Sequence, residues 1–294
     1  MSLPSGSAPG PAPDHHRAAP VDGARTFPFT VIDQAVHLLD TPSEPWGVHL
    51  ELGVAGRLDP TLQRVAVDGA MAAHPMARAR RLPARRTDRS WMWEIAPAAD
   101  IDPVRVVDCP DDTTLTEARA ALYSRQVPIV EAPPFRVVLA RRPDGDRMLL
   151  ATNHAAIDGL GSVRLAQSIA NHYAGRPDPA TAVDVTEARD VARHTATRDS
   201  TERALRYRML AGMAADLVRR PATIVPEGAT RRPGYGFHLT VLSAERTSRV
   251  IDHPGHTVNE LLLAALTQAV AGWNREHGKA PGRIGLLVPV NLRP

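Results

Sequence analysis

The chain mixes two hydrophobic periodicities, and each predicts its own kind of element. Period-two alternation or a short apolar run predicts strands at WGVHLELGV (46–54), RSWMWEI (89–95), FRVVLAR (135–141), RMLLATN (147–153), GYGFHLTVLSA (234–244) and RIGLLVPVNLRP (283–294). Helical spacing predicts helices at TLQRVAVDGAMAAHP (61–75), LTEARAALYSRQV (115–127), VRLAQSIANHYAG (163–175), STERALRYRMLAGMAADLVRR (200–220) and VNELLLAALTQAVAGWNREHG (258–278). Because strands and helices follow one another without strict βαβ alternation, the pattern favours a mixed α/β sandwich over a doubly wound sheet.

Capping residues mark where several helices begin. Thr30, followed by Asp33 and Gln34, resembles a capping signal before a short helix, and Thr257 with Glu260 predicts a capping box. Two helices also show predicted core faces: Leu62, Val65, Ala66 and Ala70 in the first, and Val163, Ala166, Ile169, Ala170 and Tyr173 in the second.

One segment, LLATNHAAIDGLGS at 149–162, carries the strongest candidate chemistry. The turn signal at 143–146 predicts a hairpin whose second strand leads into His154, and Ser162 is expected to cap the helix that leaves it. A histidine at the end of a buried strand projects from a rigid element, and its pKa near neutrality suits proton transfer. The alternative is a histidine hydrogen-bonded within the core, with Asp158 only shaping the turn. These residues alone leave both interpretations open.

Composition excludes several classes of function. The chain has 294 residues and a formal net charge of +3, and Lys279 is the single lysine, without the glycine pattern of a P-loop. Cys109 stands alone, which argues against a disulfide framework or a cysteine-based metal site. There is no G-x-S-x-G nucleophile elbow, no uninterrupted apolar run of membrane-spanning length and no secretory signal pattern. We therefore expect a cytoplasmic protein without a tightly bound cofactor or metal.

Three further features allow two interpretations each. Six arginines in ARARRLPARRTDRSW (77–91) form either a solvated strand and loop or a docking surface for phosphates, rather than a nucleic-acid site. The helix at 200–220 either packs on its own protein or docks on a membrane or lipid droplet. Its stripe consists of Leu205, Met209, Met213 and Leu217. His253 and His256 have a spacing that metals can use, but Pro and Gly between them favour a solvent-exposed loop.

Four separate segments resemble one family. Residues 58–80 resemble the HPxLR region of condensation domains and related acyltransferases, and residues 132–175 resemble their hairpin, H-H-x-x-x-D-G turn and following helix. Residues 257–294 are similar to the helix and PVNLR strand that open the second lobe of these proteins. The N-terminal FTVIDQAVHLLDTPSEPWGVHLEL (29–52) resembles the start of wax ester synthase/diacylglycerol acyltransferase members. The resemblance implies a chloramphenicol acetyltransferase-like α/β two-layer sandwich with a mixed sheet, its two lobes enclosing a tunnel.

The family motif assigns roles to individual residues. It places the family's second histidine at His154, which by resemblance is the general base that deprotonates an acceptor. Asp158 then becomes a structural residue paired with Arg293, since a carboxylate under a tight turn needs a compensating cation, and Gly159 permits the turn and a close approach of substrate. Asn153 stands where the family has its first histidine, and is a possible substrate-lining residue.

The same resemblance implies a domain organisation. Residues 1–26 form a disordered Pro/Ala-rich tail, 27–180 an N-terminal acyltransferase lobe, 181–235 a connecting segment with an amphipathic helix, and 236–294 the start of a second, incomplete lobe. Family members continue well beyond PVNLR. The chain is thus expected to be a truncated gene product, an engineered fragment or one half of a split enzyme.

Three functions follow as hypotheses. The first is an acyltransferase that moves an acyl group from a CoA or carrier-protein thioester to an alcohol or amine, of the wax ester synthase or condensation-domain type. The second is a non-catalytic binding or scaffold subunit that a second chain completes. The third is thioester hydrolysis, with water as the acceptor in the same site.

Overall fold

The fold is known from a computed structural model, which describes residues 25–84, 88, 90–179, 184–190, 196–197, 199–218, 222–225, 240, 243–251, 255–280, 282–286 and 288. The chain divides into two units, Met1–Val185 and Thr186–Pro294. The predicted tail lies outside the described residues up to position 24, but Arg25 and Thr26, which we assigned to it, already belong to the first strand. They are held there by backbone pairing with another strand rather than by their own apolar content.

A four-stranded mixed sheet organises the first unit. Its order is β2 (Gly47–Gly53), β7 (Arg147–Asn153), β6 (Phe135–Arg141) and β5 (Val104–Asp108). The predicted hairpin is confirmed as the antiparallel pair β6–β7, and β5 runs parallel to β6. A parallel pair requires a crossover, which helix α3 (Asp112–Tyr123) supplies between the two strands.

A second sheet of three strands contributes to the same core. It has the order β1 (Arg25–Pro28), β4 (Met92–Ile95) and β3 (Ala79–Arg81), with both pairings antiparallel. Trp93 of β4 is fully buried and stacks on Phe29, with ring centroids 4.2 Å apart. Large aromatic surfaces of this kind contribute much of the hydrophobic stabilisation of a core.

Helices cover both faces of the four-stranded sheet. Helices α2 (Pro60–Ala73) and α4 (Gly159–Tyr173) pack against each other and share one apolar cluster with Val137 and Leu139. The next side chain along β6, Val138, joins α3 in a separate cluster on the other face. Because successive strand residues point to opposite faces, one apolar run serves both layers.

The faces predicted for α2 and α4 are partly wrong. Leu62 and Val65 are exposed, and the buried side chains of α2 are Gln63, Ala66, Val67, Ala70 and Met71. In α4 Val163 is exposed, and the buried side chains are Ser162, Leu165, Ala166, Ser168 and Ile169. Two of the buried polar residues have partners on strand β7: Nε2 of Gln63 donates to the Met148 sulfur at 3.3 Å, and the Ser162 hydroxyl lies 2.7 Å from that of Thr152. Such partners are distant in sequence, so hydrophobicity alone does not reveal the buried face.

The first helix, α1 (Val31–Leu39), begins where predicted. Thr30 and Asp33 form a complete capping box: the Thr30 hydroxyl accepts from the Asp33 amide at 3.1 Å, and the Asp33 carboxylate accepts from the Thr30 amide at 3.0 Å. Asp33 is buried, and it also accepts a hydrogen bond from the Trp93 indole at 3.1 Å. The cap therefore ties α1 to the smaller sheet.

The regular secondary structure in the described part of the second unit is helical. After α5 (Val185–Ala188) at the boundary, it contains α6 (Ser200–Val218), α7 (Ala244–Ile251) and α8 (Val258–Glu276). The predicted capping box of Thr257 and Glu260 at the start of α8 is confirmed.

Two predicted strands of this unit have different outcomes. Most of 234–244 lies outside the described residues. Residues 282–286 are described outside any helix or strand and Leu286 is exposed, so the buried strand expected there is wrong over that stretch. A strand exists only where a neighbour accepts and donates its backbone hydrogen bonds, and the described residues of this unit include no strand.

Candidate active site at the end of strand β7

The candidate site is the turn that joins β7 to α4. Asn153 is the last residue of β7, opposite Gly47, and its backbone carbonyl accepts hydrogen bonds from Ala156 at 3.2 Å and Ile157 at 3.0 Å. His154 follows directly, and its amide donates to the carbonyl of Trp46 at 3.3 Å. The hairpin thus places His154 directly after the end of an inner strand of the sheet, as the sequence predicted.

The tip of the hairpin, at the far end of β6 and β7, packs on the segment that follows strand β2. Gly145 has φ +112° there, and a Cβ at this position would lie 2.1 Å from the carbonyl oxygen of Val54, so only glycine fits. Asp146 donates its amide to Gly56 at 2.9 Å and accepts from the Val54 amide at 3.0 Å. These contacts set the position of β7 from the end opposite to the turn.

Asp158, rather than Ser162, caps helix α4, which corrects our prediction. The Asp158 carboxylate accepts from the Gly161 amide at 2.7 Å, and its carbonyl accepts from the Ser162 amide at 2.8 Å. The Ser162 hydroxyl instead lies inside the helix, 2.7 Å from the buried Thr152 hydroxyl. An aspartate at the N-cap is favoured by the unpaired amides of the first turn and by the helix dipole, so the turn itself accounts for a carboxylate here.

Gly161 is a sterically restricted position of the turn that the sequence did not reveal. A Cβ on Gly161 would lie 3.1 Å from both the Asp158 carboxylate and Cγ2 of Ile157. Gly159, expected to permit the turn, has no positive φ, and a Cβ there meets nothing within 4 Å. Its place in the turn therefore does not require glycine, and a close approach of substrate stays a prediction.

The His154 ring is half-buried, and its Nδ1 atom is buried without a hydrogen-bond partner in the described structure. A buried imidazole nitrogen is normally bonded, because an unsatisfied polar atom costs free energy. The core histidine of our alternative interpretation would need such a bond. Arg293, the expected partner of Asp158, lies outside the described residues.

Asn153 is only 2% exposed, and its side chain is bonded at both ends. Nδ2 donates to Oδ2 of Asp40 and to the carbonyl of Val127, each at 2.9 Å, and Oδ1 accepts from the Ala155 amide at 3.0 Å. The amide therefore contacts protein groups rather than an open surface. No sequence signal pointed to Asp40, which is 113 positions away.

Helices α2 and α4 also hold a polar cluster around Asp178. Its carboxylate accepts from the Ser168 hydroxyl and the Arg164 guanidinium, and Nε2 of His74 lies 3.6 Å away. Burial, together with the charge of Arg164, holds the pKa of His74 below its ordinary value. His172 Nδ1 contacts the backbone carbonyl of Ser168 at 2.9 Å instead of its hydroxyl. Since no histidine stands between serine and aspartate, this cluster is not arranged like a serine hydrolase triad.

The structure describes only part of the arginine run at 77–91, since Arg85, Arg86 and Arg89 lie outside the described residues. Arg80 is paired with Glu94 at 2.6 Å and Asp100 at 2.7 Å. These carboxylates outweigh the effect of burial and hold the pKa of Arg80 above its ordinary value. Arg80 is therefore engaged within the protein and not open to phosphate.

The described residues show neither a metal-binding cluster nor a membrane-spanning helix. Among them, no cluster of three or more His, Cys, Asp or Glu side chains could hold a metal ion. His253, one of the two histidines with a metal-like spacing, lies outside the described residues. None of the described helices has both the length and the apolar character needed to cross a membrane.

No protein-family model matches the chain. Two curated relatives, the uncharacterized proteins Rv2305 and MT2362 from two strains of Mycobacterium tuberculosis, are each 35% identical to it over 274 residues. The match covers 92% of this chain and 62% of each relative, so the chain spans somewhat less than two thirds of their length.

Solved structures show the fold. The cyclization-docking bidomain of the nonribosomal peptide synthetase EpoB from Sorangium cellulosum aligns with a TM-score of 0.57 and 24% identity, over 84% of this chain and 51% of that one. The tallysomycin biosynthesis protein TlmII aligns with a TM-score of 0.53 and 19% identity, over 65% of this chain and 47% of that one. A variant starter condensation domain of the rhizomide synthetase RzmA aligns with a TM-score of 0.50 and 16% identity, over 68% of this chain and 50% of that one. The chain therefore has the mixed α/β, chloramphenicol acetyltransferase-like fold of condensation domains, over part of its length, as predicted.

Proposed function

We propose that this chain carries the histidine-bearing part of an acyltransferase. It would move an acyl group from a CoA or carrier-protein thioester to an alcohol or amine, in the manner of wax ester synthases or condensation domains. The observation that carries the proposal is the His154 ring, presented at the end of β7 with a buried ring nitrogen that no described group satisfies. A catalytic role is one explanation for an unsatisfied buried group, and the position of His154 at the end of a buried strand favours it here.

The proposed chemistry is general-base catalysis. The neutral imidazole of His154 takes the proton of the acceptor O–H or N–H while the oxygen or nitrogen attacks the thioester carbonyl carbon. The carbon–sulfur bond then breaks, and the imidazolium returns the proton to the departing thiolate. Asp158 has a positioning role, because its carboxylate begins α4 and closes the turn behind the histidine.

The test compares two matched substitutions in the full gene product. His154→Gln removes the base, whereas His49→Gln removes another half-buried histidine. The His49 ring, in β2, stacks on Tyr123 of α3 with ring centroids 4.4 Å apart. Each variant is assayed with acyl-CoA thioesters from acetyl to palmitoyl and with hexadecanol or octylamine as acceptor. Thiol release and the ester or amide product are measured. We expect His154→Gln to lose about 10²–10⁴-fold in kcat and His49→Gln to stay near wild type. Equal activity of the two variants would refute the assignment of the base.

A binding or scaffold subunit is the second candidate, and exposed apolar side chains favour it. Helix α1 exposes large apolar side chains at both of its ends, with Val31 at 83% and Leu38 at 66% exposure. Exposed apolar patches are typical of interaction surfaces. If the full gene product binds acyl thioesters or a partner chain without releasing thiol, this function replaces the enzymatic one. Thiol release without ester or amide product would instead indicate hydrolysis.

A further inference from the structure

We infer that Asp40 and Asn153 form a hydrogen-bonded clamp that positions His154 for proton transfer. The inference deepens the proposed function and rests on it. Asp40 lies just after α1, whereas Asn153 ends β7, so the clamp joins two elements that are distant in sequence. Neither residue is a candidate proton donor or acceptor for the substrate; each acts on the histidine through the backbone around it.

The Asp40 carboxylate uses both of its oxygens. Oδ1 accepts from the Trp46 amide at 2.9 Å, and Oδ2 accepts from Nδ2 of Asn153 at 2.9 Å. The carbonyl of Trp46 in turn accepts the His154 amide at 3.3 Å. Asp40 is therefore bonded both to the side chain that precedes His154 and to the residue that holds the His154 amide.

The Asn153 side chain completes the clamp on the other side of the histidine. Its Oδ1 atom accepts from the Ala155 amide, so the side chain of the residue before His154 holds the backbone of the residue after it. Its two N–H groups go to Asp40 and to the Val127 carbonyl, and the neighbouring Gln126 donates to the carbonyl of Asp40 at 2.6 Å. Both N–H groups and the oxygen of the Asn153 side chain are thus bonded. Turning the amide over would break all three bonds, so the side chain has a single favourable orientation.

This arrangement explains how His154 keeps its place although its own ring nitrogen Nδ1 has no described partner. In the more usual arrangement a catalytic histidine is oriented through its second ring nitrogen. Here the backbone on either side of it is held instead. Proton transfer requires placement within a fraction of an ångström, and a shift of about 1 Å can cost on the order of 100-fold in rate. Loosening the clamp should therefore lower kcat more than substrate affinity.

The experiment exchanges the two clamp residues. In Asp40→Asn one N–H must face another donor, Trp46 or Asn153, whichever way the new amide is turned. In Asn153→Asp two carboxylates face each other. The double variant Asp40→Asn with Asn153→Asp restores a donor–acceptor pair across the same 2.9 Å distance, but the Val127 carbonyl then faces a carboxylate oxygen and loses its donor. Glu44→Gln is the matched control, because it removes one charge from the same loop at an exposed side chain that is not part of the clamp.

Two measurements are made on the full gene product. One is kcat and KM with the acyl-CoA set and hexadecanol, and the other is amide hydrogen exchange of residues 154–157, with residues 165–169 of α4 as the internal reference. We expect each single variant to lose about 10–100-fold in kcat with KM changed less than about threefold. Exchange of the turn should be faster in both single variants. The double variant should recover part of the loss seen in Asn153→Asp, because it relieves the facing carboxylates but does not restore the bond to the Val127 carbonyl. If Asp40→Asn does not fold, Asn153→Ala, which keeps the bond from Asp40 to Trp46, takes its place.

The outcomes separate the clamp from the proposed function. If the single variants fold and match Glu44→Gln in kcat and in turn exchange, or if the double variant recovers nothing, the clamp is overturned. If wild type transfers no acyl group, or His154→Gln is fully active, the proposed function fails. The exchange data then still show whether Asp40 and Asn153 hold the turn.

Discussion

The buried carboxylate of Asp146 offers a direct test of how the hairpin that carries His154 is held. Its side chain is 0% exposed. It accepts from the Leu58 amide at 2.8 Å, from the Arg142 amide at 3.3 Å and from Nη1 of Arg141 at 2.5 Å, while Arg57 approaches to 3.5 Å. One carboxylate thus connects the hairpin to the segment after β2.

Asp146→Asn keeps the shape of the side chain but removes its charge and one acceptor. If the new NH2 group takes the place of Oδ2, it faces the Arg141 guanidinium and the Leu58 amide. If it takes the place of Oδ1, it faces the Arg142 amide and Arg57, so donors lose their acceptor in either orientation. A hydrogen bond to a charged group contributes about 1.5–3 kcal/mol, and breaking a buried ion pair costs about 3–5 kcal/mol. Because Arg141 and Arg57 retain some exposure to solvent, we expect a loss of about 2–4 kcal/mol in the free energy of unfolding.

The control is Asp144→Asn in the same turn. Asp144 is 54% exposed and pairs with Arg142 and Arg147 at the surface, so its loss should cost at most about 1 kcal/mol. Urea unfolding followed by tryptophan fluorescence reports on the first unit through buried Trp93. An Asp146→Asn loss below about 1 kcal/mol, or one equal to that of Asp144→Asn, would refute this reasoning.

The difference should also depend on pH. Burial alone would raise the pKa of Asp146, but the Leu58 amide and Arg141 outweigh it and hold the pKa below its ordinary value. A carboxyl with a lowered folded-state pKa stabilises the protein fully above its unfolded pKa of about 3.9, and this stabilisation is lost as the pH falls through the folded-state pKa. The gap between wild type and Asp146→Asn should therefore be constant from pH 5 to 7 and close below about pH 4.

Two further predictions concern the helix starts. Gly161→Ala, whose Cβ would lie 3.1 Å from both Asp158 and buried Ile157, should lower the unfolding free energy by about 1 kcal/mol through the disturbed cap, whereas Gly159→Ala should be neutral or stabilise by about 0.5 kcal/mol. Thermal unfolding of both variants checks this, and equal effects would contradict it. Thr257→Ala removes the cap of α8 and should lower local stability by about 0.5–2 kcal/mol. Faster amide exchange in the first turn of α8 would show it, and unchanged exchange would count against it.

The fold was predictable where one local signal matched one element. The hairpin of β6 and β7 and the capping boxes at Thr30 and Thr257 follow from residues a few positions apart, and the structure confirms them. The strands β1 and β5 were not predicted as strands, and β3 was expected only under one of the two interpretations of residues 77–91. Each is short, 3–5 residues, and is a strand because a neighbour supplies its hydrogen bonds.

At the candidate site, too, some features were predictable from the sequence and others were not. The position of His154 at the end of a buried strand followed from the apolar run before it, and that is where the structure has it. The capping role of Asp158 was assigned to Ser162, because both are good N-cap residues and only the backbone geometry selects between them. Gly161 was passed over in favour of Gly159, since a steric requirement depends on atoms that a one-dimensional pattern does not contain.

What the sequence by itself determined is therefore local: the periodicity of the strands and helices, the capping boxes, the hairpin turn and the His154 motif. Tertiary structure alone decided which faces of α2 and α4 are buried, and it alone brought Asp40 to Asn153 across 113 positions. The physical reason is the range of the interactions. Capping and turn hydrogen bonds join residues within one turn of the chain, whereas packing and buried polar pairs depend on distances that exist only after the chain has folded.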